Sequence, residues 1–404
     1  MSWASVSIGD CVEKIASWNP SRSAGDTPFL YIDLSSVDKD KKEVDRSSVS
    51  SLLPSEAPSR ARQLVKSGDV LVATVRPNLN GVALVPEEYE GATASTGYCV
   101  LRPDHNLLDG KYLYYWVQTG AFVTDMMEKA TGANYPAVSD KVIKESKIPL
   151  PLLEEQKRIA TILDKADAIR SKRQQAIQLA DEFLCAVFLD MFGDPEANLK
   201  EWKVTTLTSC GSFKNGLNFG KGEAGHSLRY LGVGGFKSLK TLDDMDLLGD
   251  IELNAVPAKD YFLENGDLVF VRSNGNKALV GRCITVYPDG EPLTFSGFCI
   301  RYRVESESVD SEYLNYLFGT ASMKNAMLKG GQGANIQNIN QEILSRLKIP
   351  LPPIELQNKF SRIVKEYRRS MLWFGCAVGE ADGLFGAIRK ISFQGNLGVG
   401  GNCE

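Results

Sequence analysis

The feature that most constrains this chain is an internal repeat of about 200 residues. The segment Lys147–Pro151 recurs as Lys348–Pro352, at an offset of 201 residues. The same offset relates three further pairs of segments: Tyr112-Leu113 and Tyr313-Leu314, Gly132-Ala133-Asn134 and Gly333-Ala334-Asn335, and Glu154-x-Gln156 and Glu355-x-Gln357. Upstream the offset drifts slightly, as variable loops would cause. A period this long exceeds that of solenoid repeats, so the repeated unit is a whole domain followed by a helix.

Each repeat has two parts, a β-rich domain and a long helical stretch. Short β-like runs such as Asp69–Val75 are separated by Gly, Asn and Pro and lead to a predicted helix near Lys111–Glu128. After Pro149 and Pro151 a helical stretch begins, with acidic residues in its first turn that suit the helix dipole. The predicted fold class is α+β, with two similar domains and two long helices. The expected boundaries are 1–150 for the first domain, 151–195 for the central helix, 196–351 for the second domain, 352–396 for the C-terminal helix and 397–404 for a tail.

Apolar residues in both helical stretches recur at alternating steps of three and four, which is the pattern of a heptad seam. Arg173 interrupts the first seam, and Phe374 stands at the matching place in the second. The predicted seam residues are Ile159, Ile162, Ile169 and Phe183 in the first stretch and Phe360, Ile363, Tyr367 and Leu384 in the second. Either stripe alone would fit an amphipathic helix on its own domain. Its duplication favours two helices that bury their seams against each other.

The second helical stretch contains Gly375, Gly379, Gly383 and Gly386. Each glycine costs about 1 kcal/mol relative to Ala in a helix interior. They indicate either a close approach of the two helices or a frayed second helix, and the sequence leaves both open.

Composition narrows the class of protein. The formal net charge is −4, which argues against binding nucleic acid through bulk positive charge but leaves room for local basic surfaces. The eight cysteines form no Cys-x-x-Cys pair, and His105 and His226 have no partner at metal-ligand spacing, so we expect buried thiols and no metal or cofactor. The apolar runs are far shorter than the roughly 20 residues of a membrane span, and Met1–Val6 is unlike a signal peptide. We therefore expect a cytoplasmic protein that does not contact a membrane.

Two pairs of motifs mark the helical stretches. They are Ile148-Pro149-Leu150-Pro151-Leu152-x-Glu154-x-Gln156 and Ile349-Pro350-Leu351-Pro352-Pro353-x-Glu355-x-Gln357 at the starts, and Phe192-Gly193-Asp194-Pro195 and Ser392-Phe393-Gln394-Gly395 at the ends. In these motifs and in its organisation the chain resembles the specificity (S) subunits of Type I restriction-modification systems.

The resemblance implies two target recognition domains, each of which reads one half of a split, asymmetric site in double-stranded DNA. It also implies that the long helices form an antiparallel coiled coil that acts as a ruler. Two modification (methyltransferase) subunits are then expected to bind the helices and nearby surfaces, and a restriction subunit is able to join them.

Candidate DNA contacts are polar loops at matching places in the two repeats. Arg recognises guanine and Asn adenine through paired hydrogen bonds, so an Arg-x-Asn-x-Asn loop after a strand has suitable chemistry. A turn that needs Asn for backbone reasons explains the same loop equally well. A second, Gly-rich loop before each proline motif would let the backbone approach a phosphate. The candidates are Arg76, Asn78, Asn80, Asn134 and Tyr135 in the first repeat and Arg272, Asn274, Asn276, Lys277, Gln332, Asn335 and Gln337 in the second.

The sequence contains neither the motifs of a methyltransferase nor those of a nuclease. The chain has neither the Gly-rich cofactor loop nor the Asn/Asp-Pro-Pro-aromatic motif of a methyltransferase, and Gly232–Gly235 is an isolated glycine cluster. The acidic run Asp243–Asp246 fits a solvated loop better than a nuclease metal site. We therefore predict a non-catalytic subunit. The alternatives are a duplicated protein-binding scaffold that does not read DNA and an unrecognised metal-dependent nuclease.

Overall fold

The computed structural model describes residues 3–22, 26–132, 135–220, 222–236, 240–329 and 338–393, with backbone only at 277 and 371–384. The chain divides into two compact units. Unit 1 consists of Met1–Gln174 and Cys376–Glu404, and unit 2 consists of Gln175–Gly375. Each unit therefore takes one predicted domain and a part of both long helices.

The described part of unit 1 is built on short strands. They are β1 (Ser5–Ser7), β2 (Val12–Glu13), β3 (Phe29–Ile32), β4 (Val37–Asp38), β5 (Glu43–Val44), β6 (Ser50–Leu52), β7 (Ala61–Leu64), β8 (Val70–Ala73), β9 (Val82–Leu84), β10 (Thr93–Ser95), β11 (Tyr98–Pro103) and β12 (Lys147–Pro149). Two four-stranded sheets have the orders β6-β3-β10-β7 and β2-β11-β8-β9, and β1 pairs with β12 and β4 with β5. All four residues of β8 are buried, which explains its unbroken apolar run.

Three short helices pack on the sheet of unit 1: α1 (Gly110–Trp116), α2 (Gly120–Lys129) and α3 (Asp140–Glu145). Each begins after a residue whose side chain accepts a hydrogen bond from a first-turn amide, namely Asp109, Thr119 and Ser139. The single helix predicted near Lys111–Glu128 is therefore two helices. Thr119 caps the second of them and separates it from the first.

Unit 2 repeats this plan. Its described strands are β13 (Lys203–Thr206), β14 (Gly211–Asn215), β15 (His226–Leu231), β16 (Thr241–Leu242), β17 (Gly249–Leu253), β18 (Asp267–Val271), β19 (Cys283–Val286), β20 (Leu293–Phe295), β21 (Cys299–Val304) and β22 (Lys348–Leu351). The sheet orders are β14-β21-β18-β19-β16, β17-β15-β20 and β13-β22. Three short helices follow: α5 (Ser311–Gly319), α6 (Ala321–Lys329) and α7 (Gln341–Arg346).

The strand orders of the two units correspond. The order β2-β11-β8-β9 in unit 1 matches β14-β21-β18-β19 in unit 2, and β6-β3-β10 matches β17-β15-β20. The pairs β3–β10 and β15–β20 are both parallel among largely antiparallel neighbours. The internal repeat and the α+β class are therefore confirmed. One difference is that β7 adds a fourth strand in unit 1, and the three-stranded sheet described in unit 2 has no strand in its place.

The two long helices are α4 (Leu153–Phe192) and α8 (Ile354–Phe393), each 40 residues and so about 60 Å long. In unit 1 the guanidinium of Arg170 in α4 lies 5.2 Å from the ring centroid of Phe385, near the end of α8. In unit 2 the ring of Phe188, near the end of α4, lies 5.4 Å from that of Phe360, near the start of α8. About two turns further along α8, the hydroxyl of Tyr367 donates to Asp181, about two turns before Phe188 on α4, at 3.3 Å. In unit 2 the helices therefore run antiparallel, as predicted.

At the outer positions of the predicted seam, Ile159 and Phe360 are fully buried, and Ile162, Ile363 and Tyr367 are partly buried. The side chain of Leu384 lies outside the described residues. The helix α8 continues without a break through its glycines, and a side chain at Gly386 would meet nothing within 4 Å. The second helix is therefore not frayed at its glycines. A close approach of the two helices does not explain Gly386 either.

The predicted seam is wrong in phase at Ile169 and Phe183, which expose 53% and 62% of their surface. The buried positions of α4 lie one residue later, at Leu163, Leu184 and Phe188. Apolar residues stand side by side at 162–163, 183–184 and 187–188, so two phases satisfy the same spacing. Only one phase faces the partner helix, and the other faces solvent.

Five of the six cysteines whose surroundings are described are buried, as predicted; the exception is Cys185. The described residues contain no group of three or more His, Cys, Asp or Glu side chains placed to hold a metal ion. Within the same ranges, no helix is both long enough and apolar enough to span a membrane.

Candidate nucleic-acid interface

In unit 1 the two predicted contact loops lie together. The loop that follows β8 begins at Arg76, whose amide donates a 2.7 Å hydrogen bond to the carbonyl of Pro136. One residue earlier, Val75 forms a β-bridge with Ala137. The segment 135–137, which precedes α3, is thus fixed to the end of β8 by backbone contacts.

The exposed side chains of this loop pair combine charge with an aromatic face. The guanidinium carbon of Arg76 lies 4.6 Å from the ring centroid of Tyr135, and Tyr135 exposes 66% of its surface. A stacked guanidinium keeps its donors at the edge of the plane, where they are available to a base or a phosphate. Asn78 is also exposed. Arg76, Asn78 and Tyr135 therefore have the accessibility that a DNA contact requires.

Asn80 has a structural part in the same loop. Its backbone is left-handed, with φ +46°, and its amide donates to the carbonyl of Gln118 at 3.3 Å. Its side-chain oxygen is buried without a described hydrogen-bond partner. Since both ends of the side chain point inward, Asn80 shapes the turn and does not present the paired donor and acceptor that adenine requires.

Unit 2 builds its loop after β18 in the same way. The amide of Ile339 donates to the carbonyl of Arg272 at 3.0 Å, and Ser273 forms a β-bridge with Asn338. The amide of Arg272 donates to the carbonyl of Phe298 at 2.8 Å. As in unit 1, a segment just before the last short helix is fixed to the end of the central strand.

The asparagines of this second loop serve the backbone. The side-chain oxygen of Asn274 accepts from the amide of Asn276 at 2.7 Å, and that of Asn276 accepts from the amide of Ala278 at 3.0 Å. These are Asx turns, so the turn explanation applies to both residues. Recognition of adenine through both side-chain atoms would require the turns to open. The remaining candidates Asn134, Gln332, Asn335 and Gln337, and the side chain of Lys277, lie outside the described residues.

A buried glutamine joins each α+β domain to its helix, and the sequence predicted no role for it. The side-chain oxygen of Gln156 accepts from the amide of Asp109 at 2.9 Å, and its nitrogen donates to the carbonyls of Leu107 and Pro151, both at 2.9 Å. Gln357 makes the same three contacts in unit 2, to Asp310, Ser308 and Pro352, at 2.9, 3.1 and 2.8 Å. The repeated Glu-x-Gln motif was the available signal for this joint.

Two further contacts are duplicated. The hydroxyl of Tyr112 donates to the carbonyl of Pro149 at 2.8 Å, and that of Tyr313 to the carbonyl of Pro350 at 2.9 Å. Arg102 forms a bidentate pair with Asp69, at 2.9 and 2.7 Å, and Arg303 forms the same pair with Asp267, at 2.8 and 2.7 Å. These interactions explain why the Tyr-Leu, Gly-Asp and Ile-Pro segments recur in the sequence.

The ion pair between domain and helix is reversed in polarity between the units. In unit 1 Lys111 on α1 pairs with Asp164 on α4. At the matching place in unit 2, Glu312 on α5 pairs with Arg368 on α8. The hydroxyl of Tyr287 also donates to Glu312 at 2.7 Å, and burial together with this carboxylate raises the pKa of Tyr287. The tyrosine therefore remains a neutral donor.

The solvent face of α4 carries an apolar stripe. Leu179 and Phe183, one turn apart in unit 2, expose 65% and 62% of their surface. Ala176 and Ala186 lie on the same face and are also exposed. The stripe includes Phe183, which the sequence placed in the helix seam. Because the stripe is exposed, it is a candidate surface for a protein partner.

Comparisons with known proteins agree with this architecture. The model of a family described as the Type I restriction modification DNA specificity domain matches residues 2–179 and again 201–372. The StySPI specificity subunit of a type I restriction enzyme from Salmonella potsdam is 27% identical over 289 residues, which is 66% of this chain and 60% of that subunit. The EcoKI specificity subunit from Escherichia coli (strain K12) is 23% identical over 329 residues, which is 75% of this chain and 68% of that subunit.

A solved structure shares the fold. One chain, from work on complex assembly and conformational transition of the type I R-M system, superimposes with a TM-score of 0.54 at 22% identity, and the match covers 98% of both chains. The family model matches well over half of the residues in this chain. The chain therefore belongs to the family of Type I restriction-modification DNA specificity domains and contains two copies of that domain.

Proposed function

We propose that this chain is the non-catalytic subunit that reads DNA for a Type I restriction-modification complex in the cytoplasm. Each recognition domain reads one half of a split, asymmetric site in double-stranded DNA. The observation that carries the proposal is the duplicated loop pair. The carbonyls of Thr74 and Arg272, at matching places after the central strands, accept from the amides of Val138 and Ile339 before the last short helix, and each loop carries an arginine, Arg76 in unit 1 and Arg272 in unit 2. The loop sequences differ between the units, as two different half-sites require.

In this proposal the long helices set the separation of the half-sites and bind two methyltransferase subunits, and a restriction subunit joins the complex. The length of α4 and α8 supports the first role, because each is about 60 Å long. The exposed stripe that contains Leu179 and Phe183 supports the second, since apolar side chains in a row on a helix favour a partner.

The direct test exchanges residues 1–145 for those of a related subunit and maps methylation in cells that carry the methyltransferase subunits. We expect one half of the methylated site to change and the other half to stay. An unchanged site would contradict the assignment of one half-site to each domain. A complex without sequence-dependent, salt-sensitive DNA affinity would identify the chain as a protein scaffold. Cleavage by this chain alone with magnesium would instead identify a nuclease.

The ruler is tested separately. Inserting four residues, about one helical turn, into both α4 and α8 is expected to lengthen the unspecified spacer while the two half-sites remain the same. A spacer of unchanged length would contradict the role of the helices. Inserting four residues into the exposed turn at 39–41 is the matched control, because it adds the same length outside the helices and away from the Gln156 joint.

A further inference from the structure

Unit 1 contains a basic cleft beside the predicted contact loops. The cleft has a volume of about 470 Å³ and is lined by Lys14, Arg62, Thr96, Asp140 and Lys144, among other residues. Its three basic residues come from distant parts of the chain: Lys14 follows β2, Arg62 lies in β7 and Lys144 lies in α3. The fold thus collects positive charge that no single segment of the sequence reveals.

The positive charges of the cleft are only partly engaged. One guanidinium nitrogen of Arg62 donates to the carbonyl of Ala61 at 2.6 Å. Among the described residues, neither Lys14 nor Lys144 forms an ion pair with a carboxylate at contact distance. Asp140 is the one carboxylate in the described lining, and burial raises its pKa. The lining carries a net positive charge that faces solvent.

Two chain segments connect the lining of the cleft to the loop pair. Thr96 lines the cleft, and the next residue, Gly97, accepts hydrogen bonds at 2.9 Å from both the amide and the hydroxyl of Thr74. Thr74 lies two residues before Arg76. Its carbonyl accepts from the amide of Val138 at 2.9 Å, and Val138 lies between Pro136 and Asp140. Both segments therefore lead from the cleft directly to the loop of Arg76.

Unit 2 places different residues at the corresponding positions. The strand register aligns Lys14 with Phe213, whose ring packs 4.9 Å from that of Tyr302. The repeat offset aligns Lys144 with Ser345, whose hydroxyl donates to the carbonyl of Glu342 at 2.8 Å. The nearby Lys214 is paired with Asp260. Unit 2 thus has a packed ring and a neutral hydroxyl in place of Lys14 and Lys144, while its basic residues Lys214 and Arg301 contact Asp260.

We propose that the Lys14–Arg62–Lys144 cleft binds the phosphodiester backbone of the DNA beside the bases that the Arg76 loop contacts. Ammonium groups on flexible stems bind phosphate as point charges and do not select a base. Unit 1 is therefore the electrostatic anchor, and unit 2 relies more on its other contacts. This inference rests on the proposed function, because it assumes that the Arg76 loop faces DNA.

The test uses the full chain assembled with its methyltransferase subunits and two duplexes, one with the mapped site and one with that site scrambled. Affinity is measured over a range of KCl concentrations. Each phosphate contact contributes about one unit to the slope of log affinity against log salt. Lys14→Gln with Lys144→Gln is expected to reduce the slope by about two and to weaken both duplexes equally, by roughly thirtyfold at 0.15 M salt.

Two further variants test the direction of the charge effect and provide a control. Asp140→Asn removes the negative charge of the cleft and is expected to strengthen binding of both duplexes. Lys214→Gln removes one positive charge from unit 2, where it is already paired, and is expected to leave the slope unchanged. Thermal melting of each variant verifies the fold, and the single variants Lys14→Gln and Lys144→Gln serve if the double variant does not fold.

An unchanged slope in the lysine variants, with normal binding by the wild-type complex, would overturn the inference. So would a loss confined to the specific duplex or a changed methylation site, because the cleft would then read bases. If the wild-type complex binds neither duplex, the proposed function fails and the inference fails with it.

Discussion

Unit 1 and unit 2 attach their recognition domains to the long helices through the same buried glutamine, yet their domain–helix ion pairs have opposite polarity. The glutamine contacts define a joint that duplication preserved. The reversed ion pair lies beside that joint. Its polarity shows that the charge on each domain is complementary to the charge on its own helix.

The consequence of the reversal follows from the repeat offset. Asp164 and Asp167 on α4 correspond to Lys365 and Arg368 on α8. If the first domain sat on the second helix, Lys111 would face positive charge, and Glu312 on the first helix would face negative charge. Like charges at contact distance are unfavourable, so wrong pairing is penalised in both directions.

The largest effect is expected from the arginine–aspartate pairs. Arg102→Met leaves Asp69, which is only 1% exposed, without its counter-charge, and removing one partner of a buried pair costs about 3–5 kcal/mol. Arg303→Met should cost less, because Arg303 is more exposed than Arg102. Chemical unfolding, with hydrogen exchange to assign the loss to a unit, measures both. Arg46→Met removes an exposed pair with Glu88 and serves as a control, with an expected cost below about 1 kcal/mol. Equal losses in all three variants would contradict the burial argument.

The next effect distinguishes the two phases of the helix seam. Leu184→Ala removes a side chain buried against the core of unit 2 and is expected to cost about 3 kcal/mol. Phe183→Ala removes an exposed ring and is expected to change stability by less than about 0.5 kcal/mol. Chemical unfolding measures both variants. A larger loss of unfolding free energy for Phe183→Ala than for Leu184→Ala would support the seam phase that the sequence suggested. If the stripe binds methyltransferase subunits, Phe183→Ala weakens their assembly in a pull-down, whereas Leu189→Ala, which removes an exposed side chain on another side of α4, does not.

The glutamine joints should respond alike in both units. Gln156→Ala and Gln357→Ala each leave one amide and two carbonyls without their partner, at a cost of about 2 kcal/mol. Differential scanning calorimetry of the two variants is expected to show similar losses. Gln178→Ala, which removes only an exposed contact to Glu182, is the matched control. A loss in one unit alone would show that the joints are not equivalent.

The smallest effect concerns the reversed ion pairs. Lys111→Gln breaks a pair that is 53% and 35% exposed and is expected to cost less than about 1 kcal/mol. Glu312→Gln affects a carboxylate that is 1% exposed beside Arg368, so about 2 kcal/mol is expected. Unfolding in urea compares them. Restoring the pair in unit 1 in reversed form, with Lys111→Glu and Asp164→Lys together, should recover the part of the stability due to the ion pair, but not the hydrogen bond that the hydroxyl of Tyr115 donates to Asp164 at 2.8 Å. Failure to recover it would mean that the polarity in unit 1 is fixed by another contact.

The sequence predicted the parts of the fold that depend on long repeated patterns. The offset of 201 residues identified both domains and both helices, because loops change length while the residues of a joint stay in place. It could not choose the seam phase at Phe183 and Leu184, where adjacent apolar residues fit the same spacing. Nor could it separate Asn78, which is exposed, from Asn80, which is held inward. The cleft was missed because Lys14, Arg62 and Lys144 meet only through tertiary folding.

The buried joint at Gln156 and Gln357 has a further consequence for how such subunits change. The domain is held by three hydrogen bonds at the first turn of its helix. It must therefore rotate with that turn whenever residues are inserted further along the helix. Each added residue turns the helix by about 100° as well as lengthening it by about 1.5 Å. Additions close to whole turns preserve the direction in which the domain faces, and other lengths turn it aside. Variation in this helix is therefore expected to proceed in steps and not as a continuous adjustment.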